Sequence, residues 1–406
     1  MVLNSKSASQ GRSGLAGYLI TQRAALRWSQ EELANRSSVS VRTIRNIETG
    51  ATRSPRRASV ELLLTTISGA GGALPMTVKS SAGPGWAGLC INLDPLVGHA
   101  GEVEKVADAL WESRCLTLTG PGGVGKTRLA VEVAGRVARR DAEPIVVIGA
   151  EALAGGDSEI GELTRELDMD GEKFRGIVLF DGVERILDEA VDLVWRLLGA
   201  YPGIRVLITS RRALLLPGVP VCEVRPFGVS EDTSGGYAAE FLFRRLAVLC
   251  PTLDLSSRLP AVLRLCNLLD HMPGALEAAA VWLRSASLDA LLQTDPLEAV
   301  LRQSTGRGLP HQRTLADSID WSVDMLDPRQ RAMLRVLSAL PGQFTVADVF
   351  REAEGMQSIG QDAVAQLAKL VELSLVQVRR GPEYAYNVLG YVRRFMRSAS
   401  VNLTGL

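Results

Sequence analysis

The residues Gly120-Pro121-Gly122-Gly123-Val124-Gly125-Lys126-Thr127 have the spacing G-x-x-x-x-G-K-[ST]. Glycines at those intervals let consecutive backbone N–H groups turn toward one anion, which suits a phosphate chain. Lys126 would place a cation on the β- and γ-phosphates, and the Thr127 hydroxyl would ligate Mg²⁺. Gly120, Gly122, Gly123, Val124, Gly125, Lys126, Thr127 and Arg128 are the expected phosphate-binding residues, with ATP or ADP and Mg²⁺ as cofactors. Further along, Asp181 ends the apolar run Ile177-Val178-Leu179-Phe180. A carboxylate at the C-terminal end of a buried strand is placed to hold Mg²⁺ through water. Thr209-Ser210-Arg211 closes a later apolar run; there an arginine fork suits a γ-phosphate, and an ordinary basic loop is the other reading. Lys126, Asp181 and Arg211 would thus carry any catalysis, and Thr127 and Asp181 the metal. Gly182, directly after Asp181, has no side chain to activate water, and the nearest acid is Glu184. Hydrolysis is therefore expected to be slow.

These groups need a scaffold. Short apolar runs at 115–119, 144–148, 177–181, 204–209 and 221–224 alternate with segments of helical periodicity. Near-continuous apolar strands between helices predict a parallel sheet covered on both faces. Trp111, Trp195, Trp282 and Trp321 fall in helical apolar patterns and read as core.

The chain has 406 residues, 46% of them hydrophobic, enough for two to four domains. Its formal net charge is zero, yet residues 1–68 hold ten basic residues against four acids, a surplus of six that the remainder balances. A basic head on an acidic body points to double-stranded DNA as a partner. Five cysteines, odd in number and without C-x-x-C spacing, read as reduced thiols. No run approaches a membrane span and no signal-peptide core opens the chain, so a cytoplasmic protein with no membrane partner is expected.

Within the head, Ser29 and Ser40 read as N-caps of two short helices, Gln30–Ala34 and Val41–Glu48, joined by a turn at Arg36–Val39. Gly50 would end the second helix, and Pro55 would open a further one over 56–67. A merely solvated arginine surface would not supply both caps and the turn. Ser29-Gln30-Glu31-Glu32-Leu33-Ala34, Val41-Arg42-Thr43-Ile44 and Ile47-Glu48-x-Gly50 resemble the phage-repressor (xenobiotic-response-element, XRE) family of helix-turn-helix domains. The resemblance implies that the second of these helices enters the major groove. Arg42 and Asn46, with Val41 and Arg45, would then read bases, while Gln30, Thr43 and Arg53 would meet phosphates. It also implies an ion pair between Arg23 and Glu48 that belongs to the scaffold.

Further segments occur in a fixed order: Val97-Gly98, the glycine loop, Asp181-Gly-Val-Glu184, Thr209-Ser-Arg, His271-Met-Pro273-Gly-Ala, Arg313-Thr-Leu-Ala-Asp and Leu326-Asp-Pro. Together they resemble the STAND class of signalling ATPases with an NB-ARC-type module. The resemblance implies a five-stranded core, a helical domain and a winged-helix domain that close over ADP or ATP. It adds Val97, Gly98 and Pro273 as nucleotide contacts. His99 stands where the family has Arg, so recognition on the adenine side differs here. No Met-His-Asp-like motif lies near 386–396, and His311 is isolated.

The expected layout is a multi-domain chain: an all-α helix-turn-helix head at 1–68, a Gly/Ala/Ser/Pro-rich linker at 69–94 and an α/β P-loop core at 95–228. A helical domain at 229–305 and a winged-helix domain at 306–400 would follow. No repeat period appears, so no helical-repeat sensor is expected; a separate sensor protein, the DNA itself or self-association in the ATP state would then supply the trigger. The expected function is a nucleotide-switched, sequence-specific DNA-binding regulator. A P-loop kinase or phosphotransferase would leave the basic head unexplained, and a scaffold with a vestigial site would not need Lys126, Thr127 and Asp181 intact.

Overall fold

The computed structural model describes residues 19–20, 23, 26, 28–49, 59, 62–63, 66, 86–87, 96–141, 145–149, 174–214, 216–228, 236–304, 313–354 and 362–401. Arg53, Gly50, Pro55, Pro144, His311 and nearly all of the expected linker lie outside the described residues. The chain divides into two compact units, one of 1–95, 103–116 and 130–208, the other of 96–102, 117–129 and 209–406.

In the head, α1 (Gln30–Ser37) begins where the Ser29 hydroxyl accepts the Glu32 N–H at 3.0 Å. It stops at Ser38, whose φ of 57° is left-handed. Ser40 caps α2 (Val41–Glu48) in the same way, accepting the Thr43 N–H at 3.2 Å. Leu19, Leu33, Val39, Ile44, Ile47 and Leu63 form one buried cluster, with Leu26, Trp28 and Ala34 against it. The turn is thus held from beneath by Val39, the one apolar residue among the three (38–40) between the helices.

The first unit also contains β1 (Trp86–Ala87), most of α3 (Ala100–Ser113) and of α4 (Lys126–Asp141), β3 (Ile145–Gly149), β4 (Gly176–Asp181) and α5 (Leu187–Ala200). β2 (Cys115–Thr119), β5 (Ile204–Ser210) and β6 (Val221–Glu223) complete a sheet of order β1-β3-β4-β5-β2-β6. β3 pairs in parallel with β4, Ile145 opposite Ile177 and Gly149 opposite Asp181, and β4 pairs in parallel with β5. β2 is parallel to β6 from Thr117–Val221 to Thr119–Glu223. All five residues of β2 and the first five of β4 are buried, the signature of a sheet covered on both faces. The five expected strands are present. A sixth, β1, arises in the stretch expected as linker and pairs in parallel with β3. Two residues carry no periodicity that a sequence could reveal.

Trp195 departs from expectation: it is 49% exposed. The buried stripe of α5 is Ala190, Leu193, Val194 and Leu197, and one residue beyond Val194 turns about 100° away from that stripe.

The second unit continues with α6 (Gly236–Leu249), α7 (Leu259–Leu268), α8 (Pro273–Trp282), α9 (Leu288–Gln293) and α10 (Pro296–Leu301). α8 buries Ala275, Leu276, Ala278, Ala279 and Ala280, and small side chains there let α6 and α10 approach it closely. Next come α11 (Leu315–Val323), α12 (Pro328–Ala339), α13 (Val346–Glu354), α14 (Ala363–Glu372), β7 (Val376–Arg379), β8 (Ala385–Val388) and α15 (Gly390–Val401). Capping boxes start α11 at Thr314/Asp317 and α12 at Asp327/Gln330. β7 and β8 form an antiparallel pair. α12 packs against both α14 and α15. Among the described residues no helix is long and apolar enough to cross a membrane.

Candidate functional site

The glycine loop joins β2 to the start of α4, and its backbone requires glycine at several points. Gly120, Gly123 and Gly125 have φ values of 149°, 80° and 101°. A Cβ on Gly120 would also lie 2.5 Å from the Val224 carbonyl oxygen. The Lys126 ammonium bends back over the loop and donates to the carbonyls of Gly120 at 2.8 Å and Pro121 at 3.0 Å. A lysine over a concave backbone, with Gly125 opening onto free space, fits a phosphate chain that those carbonyls would exchange for. Thr127 and Arg128 follow in the first turn of α4, both half-buried, and Val124 is fully buried beneath the loop.

Several of the expected residues belong to the second unit. Val97 is buried, and Gly98, at φ 77°, packs so close to Tyr237 that a Cβ would lie 2.8 Å from that ring's Cβ and Cγ. His99 is buried, its Nδ1 hydrogen-bonded to the Glu102 carboxylate and its ring 5.5 Å from Phe227. Pro273 opens α8, and the N–H of the next residue, Gly274, donates to the Gly123 carbonyl at 2.9 Å. Glycine is required at 274 for a local reason: a Cβ there would sit 3.1 Å from Gly123 Cα and O.

Arg211 is 5% exposed at the end of β5. Its Nη1 donates to the Ser318 carbonyl and the Ser322 hydroxyl, and its Nη2 to the Ser318 hydroxyl at 3.1 Å. The Ser374 hydroxyl donates to the Arg211 carbonyl at 2.9 Å. A Cβ on Gly122 would strike the Ser318 hydroxyl and lie 3.2 Å from the Arg211 guanidinium carbon. Pro121, Gly122, Ser318, Ser322, Ser374 and the fully buried Tyr391 line a small hollow here. Ser318, Ser322, Ser374 and Gly274 were missed from sequence because serine or glycine in a helix or turn carries no signal by itself.

Asp270 links two parts of this unit. It and His271 have φ of 51° and 53°, so the corner between α7 and α8 is left-handed at two consecutive non-glycine residues. The turned Asp270 carboxylate accepts the N–H of Gly390, capping α15. Burial pushes its pKa up to about 6, against the lowering effect of the Gly390 and Tyr391 N–H groups and of Arg393. Burial likewise lowers the pKa of His271.

Asp181, in the first unit, ends β4 half-buried, and Gly182 follows at φ 75°. Glu184 lies in the next turn and is 6% exposed.

The head presents a different chemistry. Arg42 and Arg45 are exposed on α2, with Val41, Thr43 and Asn46 half-buried beside them. Glu48 is buried and ion-paired to Arg23, with Arg23 Nε at 3.0 Å and Nη2 at 3.2 Å. The expected scaffold pair is therefore present, and the Gln30 amide joins it, donating to Glu48 at 2.6 Å. The Thr43 hydroxyl is hydrogen-bonded to that of Ser40 at 2.8 Å.

Residues 19–67 match the helix-turn-helix family HTH_3. The head is a helix-turn-helix domain of that XRE type. A candidate HTH-type transcriptional regulator of Mycobacterium bovis is 32% identical over 287 residues, covering 66% of this chain and 31% of that protein. The chain thus spans about a third of the length of the curated regulators it matches. An uncharacterized M. bovis protein is 27% identical over 331 residues, covering 75% of this chain and 81% of its own. Among solved structures, the Walker-type ATPase of Pyrococcus abyssi is similar with a TM-score of 0.52 at 17% identity, over 75% of this chain and 99% of that one. The chain therefore combines an N-terminal helix-turn-helix, an α/β core with the fold of a P-loop ATPase, and a helical C-terminal region.

Proposed function

We propose that this chain is an ATP- and ADP-binding transcriptional regulator whose bound nucleotide alters how its head engages double-stranded DNA. The observation that carries the reading is the glycine loop with Lys126 folded over it, in the same chain as a helix-turn-helix head. The likeness to Mycobacterium regulators and to a Walker-type ATPase supports it.

In this reading residues 1–68 are the DNA-binding domain, 69–94 a linker, 95–228 the nucleotide-binding core, 229–305 a helical domain and 306–400 a winged-helix domain with β7 and β8 as its wing. The STAND/NB-ARC assignment belongs to the same proposal. The backbone N–H groups from Gly122 to Thr127 hold the phosphates, Lys126 exchanges its loop carbonyls for phosphate oxygens, and Thr127 and Asp181 hold Mg²⁺. Val97 and Gly98 line the base side, while Pro273 brings α8 to the loop. Bound with Mg²⁺, the nucleotide supplies a polyanion whose γ-phosphate is the chemical difference between the two states. Arg211 answers to that difference.

On α2, Arg42 and Asn46, flanked by Val41 and Arg45, read bases, and Thr43 and Arg53 meet phosphates. Gln30 does so while bracing Glu48. A sensor protein, DNA itself or self-association acts as trigger. With glycine at 182, turnover is on the order of once per minute or less. The direct test is binding of labelled ADP and ATP by the full chain and its Lys126→Ala variant, followed by DNA binding in each nucleotide.

A further inference from the structure

We propose that Ser318 and Ser322 determine the preference of this site between nucleoside di- and triphosphates, by holding the Arg211 fork that a third phosphate must recruit. The proposal rests on the nucleotide reading above and extends it to two residues that no glycine-loop pattern contains.

Ser318 and Ser322 lie four residues apart, hence on one face of α11, and are 8% and 3% exposed. Both Nη1 donations of Arg211 go to α11, to the Ser318 carbonyl and the Ser322 hydroxyl, and one from Nη2 goes to the Ser318 hydroxyl. Guanidinium has two protons on each Nη and a rigid plane. While these donations to α11 are made, the terminal fork cannot turn bidentately onto a phosphate until the serines release it. The same fork already lies against the loop, 3.2 Å from where a Cβ of Gly122 would be. A short displacement is enough to exchange serine oxygens for phosphate oxygens. A buried guanidinium needs acceptors throughout, so the serines are more than neutral packing.

The sign follows from competition. A diphosphate leaves Arg211 on α11. A triphosphate that engages Arg211 must do so at the expense of the serine contacts, so those contacts lower triphosphate affinity and leave diphosphate affinity alone. Weakening the serines should favour the triphosphate selectively.

The test is equilibrium binding of ADP and of a non-hydrolysable ATP analogue, both with Mg²⁺, to the full chain and to Ser318→Ala/Ser322→Ala. Hydrogen bonds to a charged group are strong enough that the ratio of analogue to ADP affinity should rise on the order of tenfold, with ADP affinity within about twofold of wild type. In an Arg211→Ala background the serine changes should leave the ratio where it was. Ser322→Ala alone, a helix-favouring change, should move the ratio in the same direction and serves if the double variant does not fold. An unchanged ratio, or equal shifts for both nucleotides, would overturn the assignment and reduce the serines to packing. Wild-type protein that binds neither nucleotide, or binds both independently of Lys126, would overturn the nucleotide reading itself and this proposal with it.

Discussion

Lys126 is the only lysine in the glycine loop, and its ammonium sits on two loop carbonyls. Replacing it with alanine should lower ADP and ATP affinity at least tenfold, about 1.4 kcal/mol or more, in titrations of a folded variant. Equal affinity would reject the phosphate assignment. On the exposed face of α2, Arg42→Ala should lose about 1–3 kcal/mol at one base pair and relax specificity there, read by binding to a panel of single-base operator variants. A uniform loss over the panel would make Arg42 a phosphate contact. Arg23 and Glu48 offer a stability test: Glu48 is 4% exposed, so Arg23→Ala strands a buried carboxylate at a cost of roughly 3 kcal/mol, softened by Gln30. The double replacement should cost less than the sum of the singles in denaturant melts, and strict additivity would show no coupling. At this scale the sequence was informative wherever a residue's neighbours in the chain are also its neighbours in space. The glycine loop and the two serine caps are of that kind. The oxygens that hold Arg211 lie 107 and 111 residues away, and no spacing rule reaches them.

Helices and strands were legible by period and by their ends. The runs at 115–119, 177–181 and 204–209 became strands because a sheet covered on both faces buries almost every position; Arg205 is half-buried, its guanidinium 3.8 Å over the Trp111 ring. Where apolar content was read without phase, as at Trp195, the residue came out on the exposed side. Element junctions were invisible. Asp270 carries one, with its carboxylate at the start of α15, 120 residues on. Its folded pKa of about 6 lies above the ~3.9 of an unfolded aspartate, so the folded state holds the proton more tightly. That stabilisation is complete below about pH 4 and is lost as pH rises through about 6. Asp270→Asn keeps an acceptor for the Gly390 N–H and removes the titration. Wild type should therefore lose stability relative to the variant between pH 4 and 7, seen as diverging thermal midpoints. Parallel midpoints would mean that Asp270 titrates as an ordinary surface acid.

Across the whole molecule, the order of segments was readable because each carries its own backbone requirement: caps for the head, glycines for the loop, alternating strands and helices for the core. What no local pattern contains is the proposed coupling of nucleotide to DNA, which would need differential stabilisation of two arrangements, since equal binding shifts nothing. Such a device works best when the nucleotide persists, consistent with glycine at 182 and an expected turnover of once per minute or slower, checked by steady-state phosphate release. Release faster than roughly one per second would remove the timer and leave an ordinary hydrolase. The most direct measurement is the affinity of the full chain for its operator DNA with ADP and with a non-hydrolysable ATP analogue, at one fixed salt concentration. Nucleotide switching predicts affinities at least tenfold apart, and a difference abolished by Lys126→Ala. The same affinity in both nucleotides, with both demonstrably bound, would contradict it.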